Sequence, residues 1–294
     1  MAPRVPSETG LQVRQASRHK LLDSSTSGLA PSHLQANLII LPSRYAEDFR
    51  LLCQRNPVPC PLLAESRHTG AYDSLRSYVD GFDGDDLASD LDIRSDAPRY
   101  MVYENGKLTG NGPTEISEQW TTDHVAFLIG CSYSFETALA LAGLSPRHTI
   151  MDRVVPMYRT NIPLCPAGVF DKGTYVVSMR PYKRSDIDQV RDITRRYVAT
   201  HGEPIAWGWD AVDKLGIVDV NMPDWGDAPL TLEGQPLAVD DNDEIPIFWG
   251  CGVTPQNAVM SATLDGLVMG HAPGHMLLLD IKDSQVFGGA ETAA

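Results

Sequence analysis

Apolar residues in this chain gather in short continuous runs, and those runs set out its elements before any other property is considered. NLIILP, residues 37–42, has the length and apolar character of a buried strand. The segment after it, SRYAEDFRLLCQRN, predicts a helix that starts at a Ser43 cap and stops at Asn56-Pro57. Upstream, Leu11, Ala16, Leu21 and Leu22 recur at helical spacing within residues 8–23, and the serine-rich turn at 23–28 closes that segment. PVPCPLL carries three prolines and cannot prolong a helix. PRYMVYENGKLTG alternates apolar and polar positions about Asn105-Gly106, a hairpin signal with a known turn mechanism. Residues 64–96, rich in Gly, Asp and Ser, read as a solvated surface excursion.

Two segments repeat one pattern. FLIGCSYSFETALALAG (127–143) and IFWGCGVTPQNAVMSATLDG (247–266) each read as strand, Gly-Cys, polar turn and helix. Aligning Gly130 with Gly250 and Cys131 with Cys251 also matches Ser134 with Thr254 and Glu136 with Gln256. An internal duplication explains this, as does the general need for glycine and small residues where a strand meets a helix. Between the two, RVVPMYRTNIP and TYVVSMRPYK read as strands, SDIDQVRDITRRYVATHG as a Ser-capped helix and EPIAWGW as a further strand. Together they predict a smaller two-layer α/β domain at 148–214, inserted into a main domain built from 1–147 and 215–294. LGIVDV, IPIFWG and MLLLDI read as buried strands that return to the main sheet, and the tail after Asp280 as frayed.

Composition narrows the function class. With 24 Lys+Arg against 38 Asp+Glu, the formal charge of -14 disfavours a phosphate-tracking surface, so no nucleic-acid partner is expected. No run reaches the roughly 18 apolar residues a membrane span requires, and no membrane partner is expected. A cytoplasmic location follows, while Arg4, Arg14, Arg18 and Lys20 in residues 1–22 leave the mitochondrial matrix open. Five cysteines without a CxxC pair argue against a disulfide framework and a structural zinc site. Phosphate loops, GxGxxG after a strand and GxSxG elbows are all missing, which leaves a small, polar, anionic substrate.

Candidate chemistry concentrates at the Gly-Cys turns. A helix N-terminus favours an anion and lowers the pKa of a thiol placed there, so Cys131 and Cys251, with hydroxyls from Ser132, Ser134 and Thr254, could clasp a dicarboxylate. Helix capping by Ser132 or Ser134 is the simpler role. Arg159 and Arg180 offer guanidinium forks for carboxylates, or structural ion pairs. Asp219, Asp224, Asp227 and Asn221 at a strand end could hold a proton or a hard cation, or serve turn geometry. His271 and His275 in HAPGHM suit acid/base work better than metal ligation, because Pro273-Gly274 breaks the helix an HxxxH pair needs.

At these residues the chain resembles a known family. LAPSHLQANLIILP, CQRNPVPCPLL, FLIGCSYSFE, VPMYRTNIP, VVSMRP, THGEP, PDWGD, FWGCGVTPQ and HAPGHM follow in order the signature blocks of the "putative hydro-lyase" family that includes D-glutamate cyclase, over about residues 11–281. The resemblance implies an intracellular lyase and an α/β fold, a three-layer αβα main domain joined to a smaller two-layer α/β domain. It also implies dehydration of D-glutamate to 5-oxo-D-proline and water. Two departures bear on substrate access or oligomer contacts: DSSTSG stands where a Gly/Pro-containing turn is more usual, and SLRSYVDGFDGDDLASD is longer and more acidic than usual.

Cyclisation needs both carboxylates held, the ammonium deprotonated and the departing oxygen protonated. The expected assignment gives carboxylate binding to Arg159 and Arg180, oxyanion stabilisation to the Gly-Cys helix N-termini, and proton transfer to His271 or Asp219. Cys131 and Cys251 complete the expected catalytic set, and Ser132, Ser134, Asn161, Thr254 and Gln256 the substrate contacts. That chemistry calls for no cofactor and no metal, and the expected partner is a small-molecule dicarboxylate, with homo-oligomer formation left open. Two readings stand beside it: a cofactor-independent two-thiol amino-acid racemase, and a non-catalytic carboxylate-binding protein.

Overall fold

The computed structural model describes residues 8–239 and 243–288. Helices and strands mix in an α/β fold organised around two sheets, each antiparallel at every pairing. The first sheet centres on β1 (His33–Pro42), whose ten residues are all buried. One edge of β1 pairs with β6 (His124–Gly130), then with β2 (Leu62–Ser66) and β3 (Leu75–Ser77). Its other edge is shared by β11 (Leu267–His271) and β12 (Leu277–Lys282), and β4 (Tyr100–Glu104) and β5 (Lys107–Asn111) extend the sheet beyond β11. The hairpin predicted at Asn105-Gly106 is the β4–β5 connection, with both turn residues at positive φ.

Alternate side chains of β1 serve two cores, which is why the strand is apolar throughout. Leu34, Ala36, Leu38 and Ile40 face one cluster, and Ile39 and Leu41 face another, formed with α2 (Ala46–Arg55) and α8 (Val253–Ala262). The first cluster is closed by residues 64–96, where the structure corrects the expectation of a solvated excursion. Leu75, Leu87, Leu91 and Ile93 from this segment are all buried. Its aspartates are used internally: Asp83 caps the short α3 (Gly84–Leu87), and Asp96 binds Arg18 at 2.8 Å. Arg14 of α1 (Gly10–Arg18) is itself fully buried and reaches Asp280 of β12 at 2.9 Å. An acidic, glycine-rich composition therefore marks here a core-covering segment with matched arginines.

The second sheet has the order β7 (Met157–Pro163), β8 (Thr174–Lys183), β10 (Glu244–Gly250), β9 (Ala206–Trp207). IPIFWG, expected to rejoin the main sheet, is β10 and pairs with β8 over seven residues instead. LGIVDV is no strand: after α7 (Trp209–Lys214) it runs as turns whose Leu215, Ile217 and Val220 pack on Tyr158 and Phe248. MLLLDI does return to the first sheet as β12. The segment after Asp280 is ordered further than expected, through α9 (Asp283–Phe287), and residues 289–294 lie outside the described part. Against the second sheet pack α4 (Glu136–Leu141) and α6 (Ile187–Thr194), while α5 (Arg147–Ile150) lies beside β8.

The sheets approach each other at the two Gly-Cys turns, and there glycine is required by contact. A Cβ on Gly130 would lie 1.9 Å from the Ala199 carbonyl oxygen, on the segment that follows α6. Replacing Gly130 with Ala should cost at least about 2 kcal/mol, because rigid backbone must move. Chemical denaturation checks this, and an unchanged midpoint would show that the approach is not tight.

Candidate functional site

Both repeated segments form the junctions expected of them, and the two cysteines come together. Cys131 and Cys251 share one apolar cluster with Tyr133, Met157, Val176, Val253 and Met276, and each is only 7% exposed. Burial dominates their ionisation and corrects the expected helix effect. It pushes the Cys131 thiol up to about 12 and the Cys251 thiol up to about 11, although the backbone N–H groups of Tyr133 and Val253 pull the other way. Both thiols are therefore protonated near neutral pH.

The hydroxyls of the turns hold the scaffold. The Ser134 hydroxyl accepts from the Gln35 amide at 3.0 Å, the Thr254 hydroxyl accepts from Val176 N–H at 2.9 Å, and Ser132 accepts from Arg180 at 3.0 Å. None of them caps its helix, and all are buried. Arg180 is fully buried with its fork already committed: Nε reaches Glu136 at 3.0 Å and Nη1 reaches Ser178 at 3.1 Å. Phe135 and Trp249 flank the guanidinium at 5.1 and 5.3 Å. Burial alone would push the Glu136 carboxyl up, but His148 and Arg180 together overcome it and hold it below its ordinary range. Arg180 thus takes the ion-pair role, leaving no free fork for a substrate.

A cavity of about 340 Å³ lies between the first sheet, α8 and β7, within the roughly 300–1,000 Å³ of small-molecule sites. Arg159, Gln256 and His271 line it, together with Trp225, Tyr103 and Asn257, which the sequence reading did not single out. The Arg159 side chain is 56% exposed, stacks 4.7 Å from the Trp225 ring and meets Asp224 only at 3.8 Å, so its donors remain available. Gln256 lies in the first turn of α8, where backbone N–H groups concentrate positive potential. Beneath it, Gly270 leaves room that a Cβ would close, 2.6 Å from the Leu38 carbonyl oxygen. His271 ends β11, and burial holds its ring down at about 4 despite the Ala272 carbonyl, with His275 adding to the depression.

The remaining expected residues do not line this cavity, although Asp224 adjoins its rim beside Trp225 and Arg159. Asp219 is exposed and accepts from Asn221 N–H at 2.8 Å, Asp224 accepts from Arg159 N–H, and Asp227 accepts from Val154 N–H. Each carboxylate serves local backbone geometry. Asn161 donates to the Lys214 carbonyl oxygen at 3.1 Å. Among the described residues, no three His, Cys, Asp or Glu side chains gather as a metal-binding group, and no helix is long and apolar enough to cross a membrane.

Comparison with known proteins places this architecture. The family model described as D-glutamate cyclase matches residues 125–280, from β6 through β12. The chain belongs to the D-glutamate cyclase family. It is 45% identical over 271 residues to a protein of Schizosaccharomyces pombe named "Putative hydro-lyase", covering 92% of this chain and 84% of that one. A Bordetella petrii protein with the same designation is 45% identical over 280 residues, covering 95% and 97%. One from Rubrobacter xylanophilus is 45% identical over 260 residues, covering 88% and 91%. The matched span contains both Gly-Cys turns, Arg159 and His271, while β1, which supplies Asn37 behind His271, precedes it.

Two outcomes follow for this member of the D-glutamate cyclase family. Arg180→Met leaves Glu136 buried with only His148 opposite it and should destabilise the fold by roughly 3–5 kcal/mol, with Glu136→Gln in the same chain recovering part of the loss. Equal stability of the single and double variants would refute the coupling. Burial also holds His201 at about 4, as it does His271, against 6.5 for an exposed ring. Unfolding therefore takes up protons between those values, and stability falls as pH drops from about 6.5 towards 4. Calorimetry from pH 7.5 to 4.5 should show a falling Tm; a flat one would mean that these rings are not buried in neutral form.

Proposed function

We propose that the protein is a hydro-lyase that cyclises D-glutamate to 5-oxo-D-proline and water in the cavity between α8 and the first sheet. The observation that carries this reading is the pairing of one available cation, Arg159, with a neutral buried imidazole, His271, on the lining of a single cavity. Family membership supports the reaction class.

In the proposed reaction Arg159 takes the α-carboxylate, with Trp225 holding the guanidinium in place. Gln256 and the N-terminus of α8 face the distal carboxyl group, where negative charge builds on oxygen during attack. The amine nitrogen bonds to the distal carboxyl carbon, and one carbon–oxygen bond breaks. The ammonium gives up two protons and the departing oxygen gains two to leave as water. A group that accepts and returns protons closes that balance, and a neutral His271 has the required form. Protonated thiols at Cys131 and Cys251 offer no resting thiolate to remove an α-proton, which favours cyclisation over racemisation.

The test is a proton NMR time course with D-glutamate in deuterated buffer. Accumulation of 5-oxo-D-proline with the α-proton retained is expected; absence of product from D-glutamate and other dicarboxylic amino acids would sink the reading, and α-deuteration would turn it towards a racemase. Arg159→Met should lower kcat/KM by about 10–100-fold, the worth of a charge-assisted hydrogen bond, with Tm nearly unchanged. Unchanged kinetics would remove Arg159 from the site.

A further inference from the structure

The two nitrogens of the His271 ring both face oxygen acceptors. Nδ1 lies 2.8 Å from the Ala272 carbonyl oxygen, and Nε2 lies 3.0 Å from Oδ1 of Asn37 on β1. The orientation of the Asn37 amide is set independently of the ring. Its Nδ2 donates to the carbonyl oxygens of Ile129 and Gly130 at 3.3 and 3.2 Å, at the end of β6, and reversing the amide would set oxygen against those two oxygens. The amide is also boxed in from the α8 side, since a Cβ on Gly252 would fall 1.9 Å from Nδ2. Asn37 is 3% exposed and His271 2%, so water does not relieve the arrangement from outside the fold.

A neutral imidazole carries one N–H, so this frame offers it two acceptors and one of the contacts lacks its hydrogen. Only the imidazolium satisfies both. We infer that Asn37 is a positioning residue that gives His271 its demand for a proton, since the ring's two hydrogen bonds are both complete only in the imidazolium. The inference rests on His271 being the proton acceptor of the proposed reaction. Burial opposes the charge and keeps the ring neutral at rest. The hydrogen-bond frame opposes burial, so the protonated ring costs less than burial alone would make it.

The surrounding charges do not supply the same effect. His275 lies on the loop after β11, Arg159 stands on β7 at the cavity, Tyr103 lines it from β4, and Cys251 lies next to the Gly252 that packs on Asn37. Among the described residues no carboxylate lines the cavity; Asp224, beside Trp225, meets Arg159 at 3.8 Å. Asn37 is thus the polar side chain bonded to the ring, and it comes from β1, outside the span matched by the family model.

The test reads the ring directly and needs no turnover. In the unaltered protein with ¹⁵N-labelled histidine, lowering the pH should reveal a second His271 N–H, on Nε2, that exchanges slowly because it is hydrogen-bonded. Rapid exchange of that proton would overturn the inference. Asn37→Asp should raise the pH at which His271 titrates by about one unit or more, as an opposite charge at this distance does, and Asn37→Ser should lower it. The acidic limb of the kcat–pH profile should move with the ring. A titration that stays put in folded Asn37→Asp would overturn the role of Asn37, whatever substrate the protein turns over. Movement of the ring's titration without movement of the kcat profile would leave the frame intact and remove His271 from the proton transfer.

Discussion

The fully buried ion pair between Arg180 of β8 and Glu136 of α4 is the constraint around which the two sheets are arranged. A guanidinium without exposure to water has to have its donors met, and each neighbour that meets them belongs to a different part of the site. Ser132 comes from the first Gly-Cys turn, Ser178 from β8, and Glu136 from the helix that the turn begins. Satisfying this one cation therefore ties the first turn to the second sheet. His148, 3.1 Å from Glu136, brings α5 into the same network. An apolar pair of similar volume could bury as much surface, but it would not dictate direction, and direction is what places Cys131 against Cys251.

Close backbone approach works beside the ion pair. Gly130 admits the Ala199 carbonyl, Gly252 admits the Asn37 amide, and Gly270 admits the Leu38 carbonyl beneath Gln256. Each glycine stands where a second chain segment crosses, and each crossing borders the cysteine cluster or the cavity. The DSSTSG turn contributes in the same way: Thr26 bonds to Gly274 and Met276 and so fastens the loop that follows His271. This turn supports one wall of the cavity from behind.

Much of this was legible in the chain, and the errors have a common physical origin. Local signals identified β1, the β4–β5 hairpin and both Gly-Cys junctions, because strand length, Asn-Gly turns and strand-to-helix punctuation are decided by neighbours in sequence. Arg159, Gln256 and His271 were picked out from motif blocks and do line one cavity. The same local logic could not separate Arg159 from Arg180. Both are arginines on strands, and only the packing of α4 over β8 consumes one fork and leaves the other open. The acidic run at 64–96 misled for a related reason, since Arg14 and Arg18, the partners of its Asp96, lie about 80 residues away.

The sequence by itself determined the β1 strand, the β4–β5 hairpin, both Gly-Cys junctions with their cysteines, and the family to which the chain belongs, because these depend on short-range geometry and on ordered motifs. Tertiary structure alone decided that IPIFWG joins the second sheet, that both thiols are buried and protonated, and that Asn37 stands behind His271. Those outcomes depend on desolvation and on contacts between residues from about 60 to more than 200 positions apart, and no local pattern carries the strength of either.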